Sequence, residues 1–188
     1  MMRREYHGDG PTPLERSPVV AAMGPGGVMV KISDLKLSLR VFMRTYPWRI
    51  IDPVPASVLS RPLSTSRVAI VSSAGLVVPG EPPFDPDVRG GDFSYRVIPG
   101  DAPVQGLEEH HRSDAFDHAG IETDRNMAMP LDRLHEMAAE GQIGSVAPRN
   151  ISLMGSITAP GRLVKHTLPQ VADLLIEDHV DVALMIPV

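Results

Sequence analysis

Arg67-Val-Ala-Ile-Val71, running directly into Ser72-Ser73-Ala74-Gly75, is the stretch on which the fold turns. Four consecutive apolar, mostly β-branched residues with no polar alternation describe a strand covered on both faces, as in a parallel sheet. The small polar turn that follows would end the strand in a loop of compact groups. Its hydroxyls and backbone N–H groups suit a carboxylate or other anion, or simply satisfy a steric need for small residues.

Working outward from that strand, residues 143–147, Ile-Gly-Ser-Val-Ala, read as a second short strand and residues 180–186 as a third. The third, Val-Asp-Val-Ala-Leu-Met-Ile, is nearly continuously apolar, as a strand covered on both faces would be. Residues 93–98 are a candidate short strand inside a Pro- and Gly-rich stretch from Pro79 to Gly106, a length of irregular chain that signals function or a misread element. Helices fall between the strands. Pro130 precedes Leu131, Leu134, Met137 and Ala138 at helical spacing, with Gly141 where the helix would stop. Thr167 and Gln170 have capping-box spacing ahead of Val171, Leu174 and Leu175. A leading helix over 32–46 carries Ile32, Leu35, Leu39, Phe42 and Met43, with Ser33 as its N-cap, and Pro47, Pro53 and Pro55 end it. Strands alternating with helices predict an α/β domain, a mainly parallel sheet flanked by helices in three layers, over residues 29–188. Residues 1–28 are expected to be a disordered extension, since four Pro and five Gly in the first 27 positions leave no apolar period to bury.

Composition bounds the function. The chain has 188 residues with 43% hydrophobic content, enough for one core. The 16 Gly and 19 Pro exclude a long helical bundle. A net charge of −5 with scattered basic residues excludes nucleic acid as a partner, and no run approaches the ~18 apolar residues of a membrane span. The protein therefore reads as soluble and cytoplasmic. Cysteine is absent, which removes disulfides, thiolate metal sites and any thiol nucleophile from the chain itself. Neither a nucleotide-binding glycine motif nor a serine nucleophile elbow is present.

The densest ionisable stretch is Glu108-Glu-His-His-Arg-Ser-Asp-Ala-Phe-Asp-His118. Its histidines and carboxylates offer N and O donors for a metal, an acid/base pair or a substrate contact, or they form a solvated loop. Ser152-Leu-Met-Gly155 reads as a helix start, a turn or a tight approach near the sheet rim. Asp124 and Asn126 read as caps, and Met127, Met129, Met137 and Met154 as gap-filling core. In open α/β sheets ligands gather beyond the carboxyl ends of strands, and the strand over 180–186 delivers the chain to that rim.

Several stretches together resemble the glycine/sarcosine/betaine/D-proline reductase selenoprotein B family, in its short form, over roughly residues 29–188. They are Thr45-Tyr-Pro-Trp48 with Asp52-Pro-Val-Pro55, Arg67 to Gly75, Gly91-Asp-Phe-Ser-Tyr-Arg-Val-Ile-Pro99 and His111-Arg-Ser-Asp-Ala-Phe-Asp117. Asp124-Arg-Asn126, Pro130-Leu-Asp-Arg-Leu134, Gly141-Gln-Ile-Gly144 and Ser152-Leu-Met-Gly155 continue the series in order. The resemblance implies reductive cleavage of a C–N bond in a small amine or amino acid, with a pyruvoyl-bearing partner subunit, a thiol electron donor and assembly into an oligomer. It also implies that a selenocysteine or cysteine follows a stretch like Val182-Ala-Leu-Met-Ile-Pro-Val188. The expectation is then that an in-frame UGA has been read as a stop and that the chain as given is inactive. Carried over onto matching positions, His111, Asp114 and Asp117 would be the catalytic, proton-handling cluster and Ser72 and Ser73 the substrate-binding groups, with no metal and no cofactor held by this chain. Asn150, where relatives often carry His, and Ala128-Met129 depart from the pattern and leave the substrate open. The alternative function is a non-catalytic or metal-binding protein using the His110–His118 cluster, and a third is a structural subunit of a larger reductase complex.

Overall fold

The computed structural model describes residues 36–46, 50–54, 57–113, 116 and 118–188. Two units are distinguished, up to residue 55 and from residue 56 onward. In the first, α1 spans Leu37–Thr45, inside the expected 32–46. Phe42 and Tyr46 bring their rings to 5.3 Å one turn apart, and the Thr45 hydroxyl donates back to Val41 O at 2.9 Å. Ser33 and the extension over 1–28 lie outside the described residues.

The second unit is the α/β body. Its centre is β1, Arg67–Ser72, buried from Val68 onward as its apolar run requires. On one side β1 pairs in parallel with β5, Ser145–Val146, and with β6, Arg149–Leu153. Arg67 faces Ser145 and Val71 faces Ile151, so the partner carries two more residues than β1 between those contacts. β5 and β6 are thus one broken strand, kinked at Ala147-Pro148. Asn150 closes the gap. Its Oδ1 accepts the Ile70 backbone N–H at 2.8 Å, replacing the ladder bond that the kink removes. From sequence alone this strand ends at Ala147, and Ser152 to Gly155 is a helix start, a turn or a tight approach rather than a strand. Instead the longer half follows Pro148, because a proline at the break forfeits no ladder bond there.

Outside β6 lies β3, Tyr95–Pro99, antiparallel to it over five residues. On the other side of β1 lies β7, Val182–Ile186, in parallel register from Val68↔Val182 to Ser72↔Ile186. The sheet is therefore mixed, with four of its five strands parallel. β7 was read as covered on both faces; among the described residues it pairs only with β1, and Ala183, Leu184 and Met185 are exposed, Met185 at 61%.

After the short α2, His118–Thr123, two longer helices cover the two faces of the sheet. α3, Leu131–Ala139, turns Leu131 and Leu134 against Val68 and Ile70, with Ile98, Met129 and Ile143 completing that core. Gly141, just past its end, has φ +72°, the left-handed stop that glycine adopts freely. α4, Leu168–Glu177, packs Val171 on Val71, Ile151 and Leu153 on the opposite face. Thr167 does not cap this helix. It lies in a π-turn over Leu163–Thr167 that runs into α4, and its hydroxyl donates to Phe93 O. Met129 and Met154 are core as expected, whereas Met127 is 60% exposed.

The irregular stretch before β3 is a packed loop. Asp92 accepts from Asp85 N and Ser94 N, both at 2.8 Å, and from the Ser94 hydroxyl at 2.6 Å. Arg96 donates to Pro82 O and Pro83 O and lies over the Phe84 ring at 4.4 Å. Burial opposes ionisation of Asp92, but the hydrogen bonds from Ser94 and Asp85 prevail and hold its carboxyl below the usual range.

Candidate functional site

The carboxyl ends of β1, β6 and β7 meet at one rim, and a backbone relay places a histidine above it. Gly75 N donates to Leu153 O at 2.9 Å and Gly75 O accepts from His110 N at 3.0 Å. From there β2, Leu76–Val77, pairs antiparallel with β4, Glu108–Glu109, which delivers His111. Gly75 has φ +67°, and a Cβ on it would stand 3.1 Å from His111 N, so only glycine permits this close approach.

His111 is 8% exposed. Phe116 stacks on its ring at 4.2 Å between centroids. Its Nδ1 accepts the Ser113 backbone N–H at 3.3 Å, while Nε2 is buried with no hydrogen-bond partner among the described residues. Desolvation lowers the His111 pKa below 6.5; the Glu109 charge pulls the other way and His118 adds to the lowering. Glu109 ties the cluster together. One of its oxygens accepts the His111 backbone N–H and the other lies 2.6 Å from His118 Nδ1. His118 Nε2 faces Ser113 O at 3.1 Å. His110 points away, 3.4 Å from Glu108.

Ser73 works at the same rim. Its N–H donates to Ile186 O at 3.0 Å, and its hydroxyl accepts from Val188 N at 3.0 Å and faces Val188 O at 3.3 Å. Gly155 is the point of convergence. A Cβ placed on it would lie 2.7 Å from Ser73 O, 2.9 Å from His111 Nε2 and 3.0 Å from Val188 O. An apolar cleft of about 170 Å³, lined by Ser72 and Ser73, opens between Val71, Leu153, Met185, Ile186 and Pro187. That is small against the roughly 300–1,000 Å³ of ordinary ligand pockets, so it suits a few heavy atoms rather than a nucleotide-sized group.

Of the residues singled out from sequence, the fold thus unites His111 with Ser73. Ser72 is fully buried, and its hydroxyl accepts the Ala74 N–H at 3.3 Å. Asp114 and Asp117 lie outside the described residues. Asp124 caps the short turn over Arg125–Met127 through Asn126 N, and Asn126 Nδ2 donates to Asp132 at 2.8 Å. Among the described residues no three His, Cys, Asp or Glu side chains converge on a metal position. No described helix is long and apolar enough to cross a membrane. Glu109 was missed, since one glutamate among many carries no signal until β4 turns it toward both histidines. The tight-approach reading of Gly155 was available from its small size beside the rim.

The sequence matches the family described as glycine/sarcosine/betaine reductase selenoprotein B over residues 28–187. It is 34% identical over 136 residues to the D-proline reductase subunit gamma of Acetoanaerobium sticklandii, covering 72% of this chain and 54% of that protein. It is 30% identical over 132 residues to the sarcosine reductase complex component B subunit beta of Peptoclostridium acidaminophilum, covering 67% of this chain and 29% of the relative. A glycine reductase complex component B subunit gamma from Carboxydothermus hydrogenoformans is 28% identical over 135 residues, 71% of this chain and 31% of its own. The chain thus spans about half the length of the first relative and under a third of the other two. No solved structure matches.

Proposed function

The chain belongs to the glycine/sarcosine/betaine reductase selenoprotein B family, and from that premise we propose that it is the selenoprotein B-type part of a cytoplasmic reductase acting on a small amine or amino acid. The reaction implied cleaves a C–N bond with two electrons from two thiols, which end as a disulfide while carbon and nitrogen each take a proton; a selenolate or thiolate supplies the nucleophile. A pyruvoyl-bearing partner subunit activates the substrate in this reading. The chain's own 188 residues contain no cysteine, so the nucleophile would be a residue following Val188.

The observation that carries the proposal is the convergence at Gly155. Ser73 O, His111 Nε2 and Val188 O approach one point at the sheet rim, so whatever follows Val188 starts out beside a buried histidine. The chain's residues have plain tasks there. Ser73 holds the backbone of residues 186–188, the cleft beside it takes the apolar part of a small substrate, and His111, with Asp114 and Asp117 as proposed neighbours, serves the polar part.

The test is to express the gene with selenocysteine, or with cysteine at the codon after Val188, and to assay dithiol-dependent reduction of D-proline, sarcosine and glycine with the pyruvoyl partner. The 188-residue chain is expected to show none, and the extended chain to gain turnover. No gain over the short form defeats the proposal.

A further inference from the structure

His111 presents a polar atom that the described structure leaves unused. A buried imidazole nitrogen without a partner is costly, and such groups in folded proteins generally have a partner in the working state. The ring's protonation is set by its other nitrogen. Ser113 N–H can only donate, so Nδ1 must present its lone pair and the proton of the neutral ring must sit on Nε2. Phe116 stacked on one face and Glu109 holding the His111 backbone N–H leave the ring little freedom to turn. Nε2 is directed at Gly155, and the absence of a Cβ there lets it come within reach of the rim where the Val188 carbonyl lies.

We infer that His111 is a fixed-tautomer hydrogen-bond donor: its Nε2–H is held toward the side-chain atom of the residue proposed to follow Val188, and stabilises negative charge there rather than shuttling a proton. The inference rests on the proposed function for the identity of that atom, an anionic sulfur or selenium, and on the structure alone for the donor. Glu109 and Phe116 are then positioning residues. Among the described residues, the charged or titratable groups acting on the ring are Glu109 and His118. A donor that stays neutral keeps its hydrogen bond across the range in which an ordinary histidine titrates. The buried setting of His111 supports that neutrality.

Two measurements test it. In the 188-residue chain, nitrogen-15 spectra of labelled histidine should show His111 carrying its proton on Nε2 at neutral pH. Protonation on Nδ1 there, or ordinary titration near pH 6.5, overturns the inference. In the chain extended through one cysteine after Val188, the pH profile of thiol alkylation is compared among wild type, His111→Phe and His111→Gln. The Phe variant keeps the stacked shape but removes the donor, and should lose about tenfold of the thiolate at neutral pH, one pKa unit. The Gln variant, whose amide nitrogen falls near the Nε2 position, should retain most of it. Superimposable wild-type and Phe profiles overturn the inference. If the profiles separate as expected but the extended chain reduces nothing with its partner, the functional reading falls and the donor assignment stands.

Discussion

At Arg67 the sheet ends in a web of charge, whereas at Ser73, just past the other end of the same strand, it ends in loosely satisfied polar groups. The Arg67 guanidinium donates to Asp178 O and its backbone N–H to Asp181, which also pairs with Arg61 at 3.2 Å. Arg149 grips Asp178 with two bonds, at 2.9 and 2.6 Å, and reaches Glu177 at 2.8 Å. This web joins the starts of β1 and β6 to the turn between α4 and β7. The opposite end has a buried Nε2 without a partner among the described residues, a serine clamping the backbone at Val188, and a glycine on which three groups converge. One end is built to hold the strands together, and the other leaves donors and space uncommitted, as expected for the ligand side of an α/β sheet.

The largest expected effect tests whether the two ends share one core. Ile70→Ala removes a fully buried side chain between them and should cost about 2–5 kcal/mol. In a thermal melt followed both by helix ellipticity and by the His111 ring resonances, the two signals should fall together. A rim that melts well before the rest would break the comparison by making that end a separate unit.

A smaller loss is expected at the rim from Gly155→Ala. The added methyl meets two backbone oxygens and His111 Nε2 at 3.0 Å or less, so the rim must shift, at about 1–3 kcal/mol. The diagnostic is a displaced His111 resonance with the Arg149–Asp178 bonds intact. A neutral effect on both would mean that the approach at Gly155 is not tight.

The smallest effects separate the ends by pH. The His111 pKa is lowered, so on acidification the unfolded chain takes up a proton that the folded chain refuses. The rim's contribution is complete above about pH 6.5 and declines as pH falls toward the folded value. Hydrogen bonding from Arg149 holds the Asp178 carboxyl below its ordinary 3.8, so the other end keeps its contribution until pH drops below that value. In urea titrations across pH, His111→Gln should flatten the upper window alone and Asp178→Asn the lower window alone. Loss of both windows in one variant would contradict the separation.

How much of this was legible beforehand depended on how local the cause was. β1 was legible because four apolar residues and a small turn state both burial and an ending, and α3 because its spacing and Gly141 give a face and a stop. β6 was lost because Pro148 and Arg149-Asn150 look like a loop. Only the pairing with β1 shows Asn150 replacing a ladder bond at Ile70, eighty positions away. β7 was placed in the interior because apolar runs usually are. Its position beyond β1 is a matter of strand order, which local pattern does not encode.

The sequence by itself determined the family likeness, the α/β alternation, the absence of any thiol and the two stretches that hold Ser73 and His111. Tertiary structure alone decided that these two meet, over Gly155 and beside Val188. The physical reason is range. Residues 73, 111, 155 and 188 come together through parallel pairing and a backbone relay across separations of tens of residues, and such contacts form only when the whole sheet assembles.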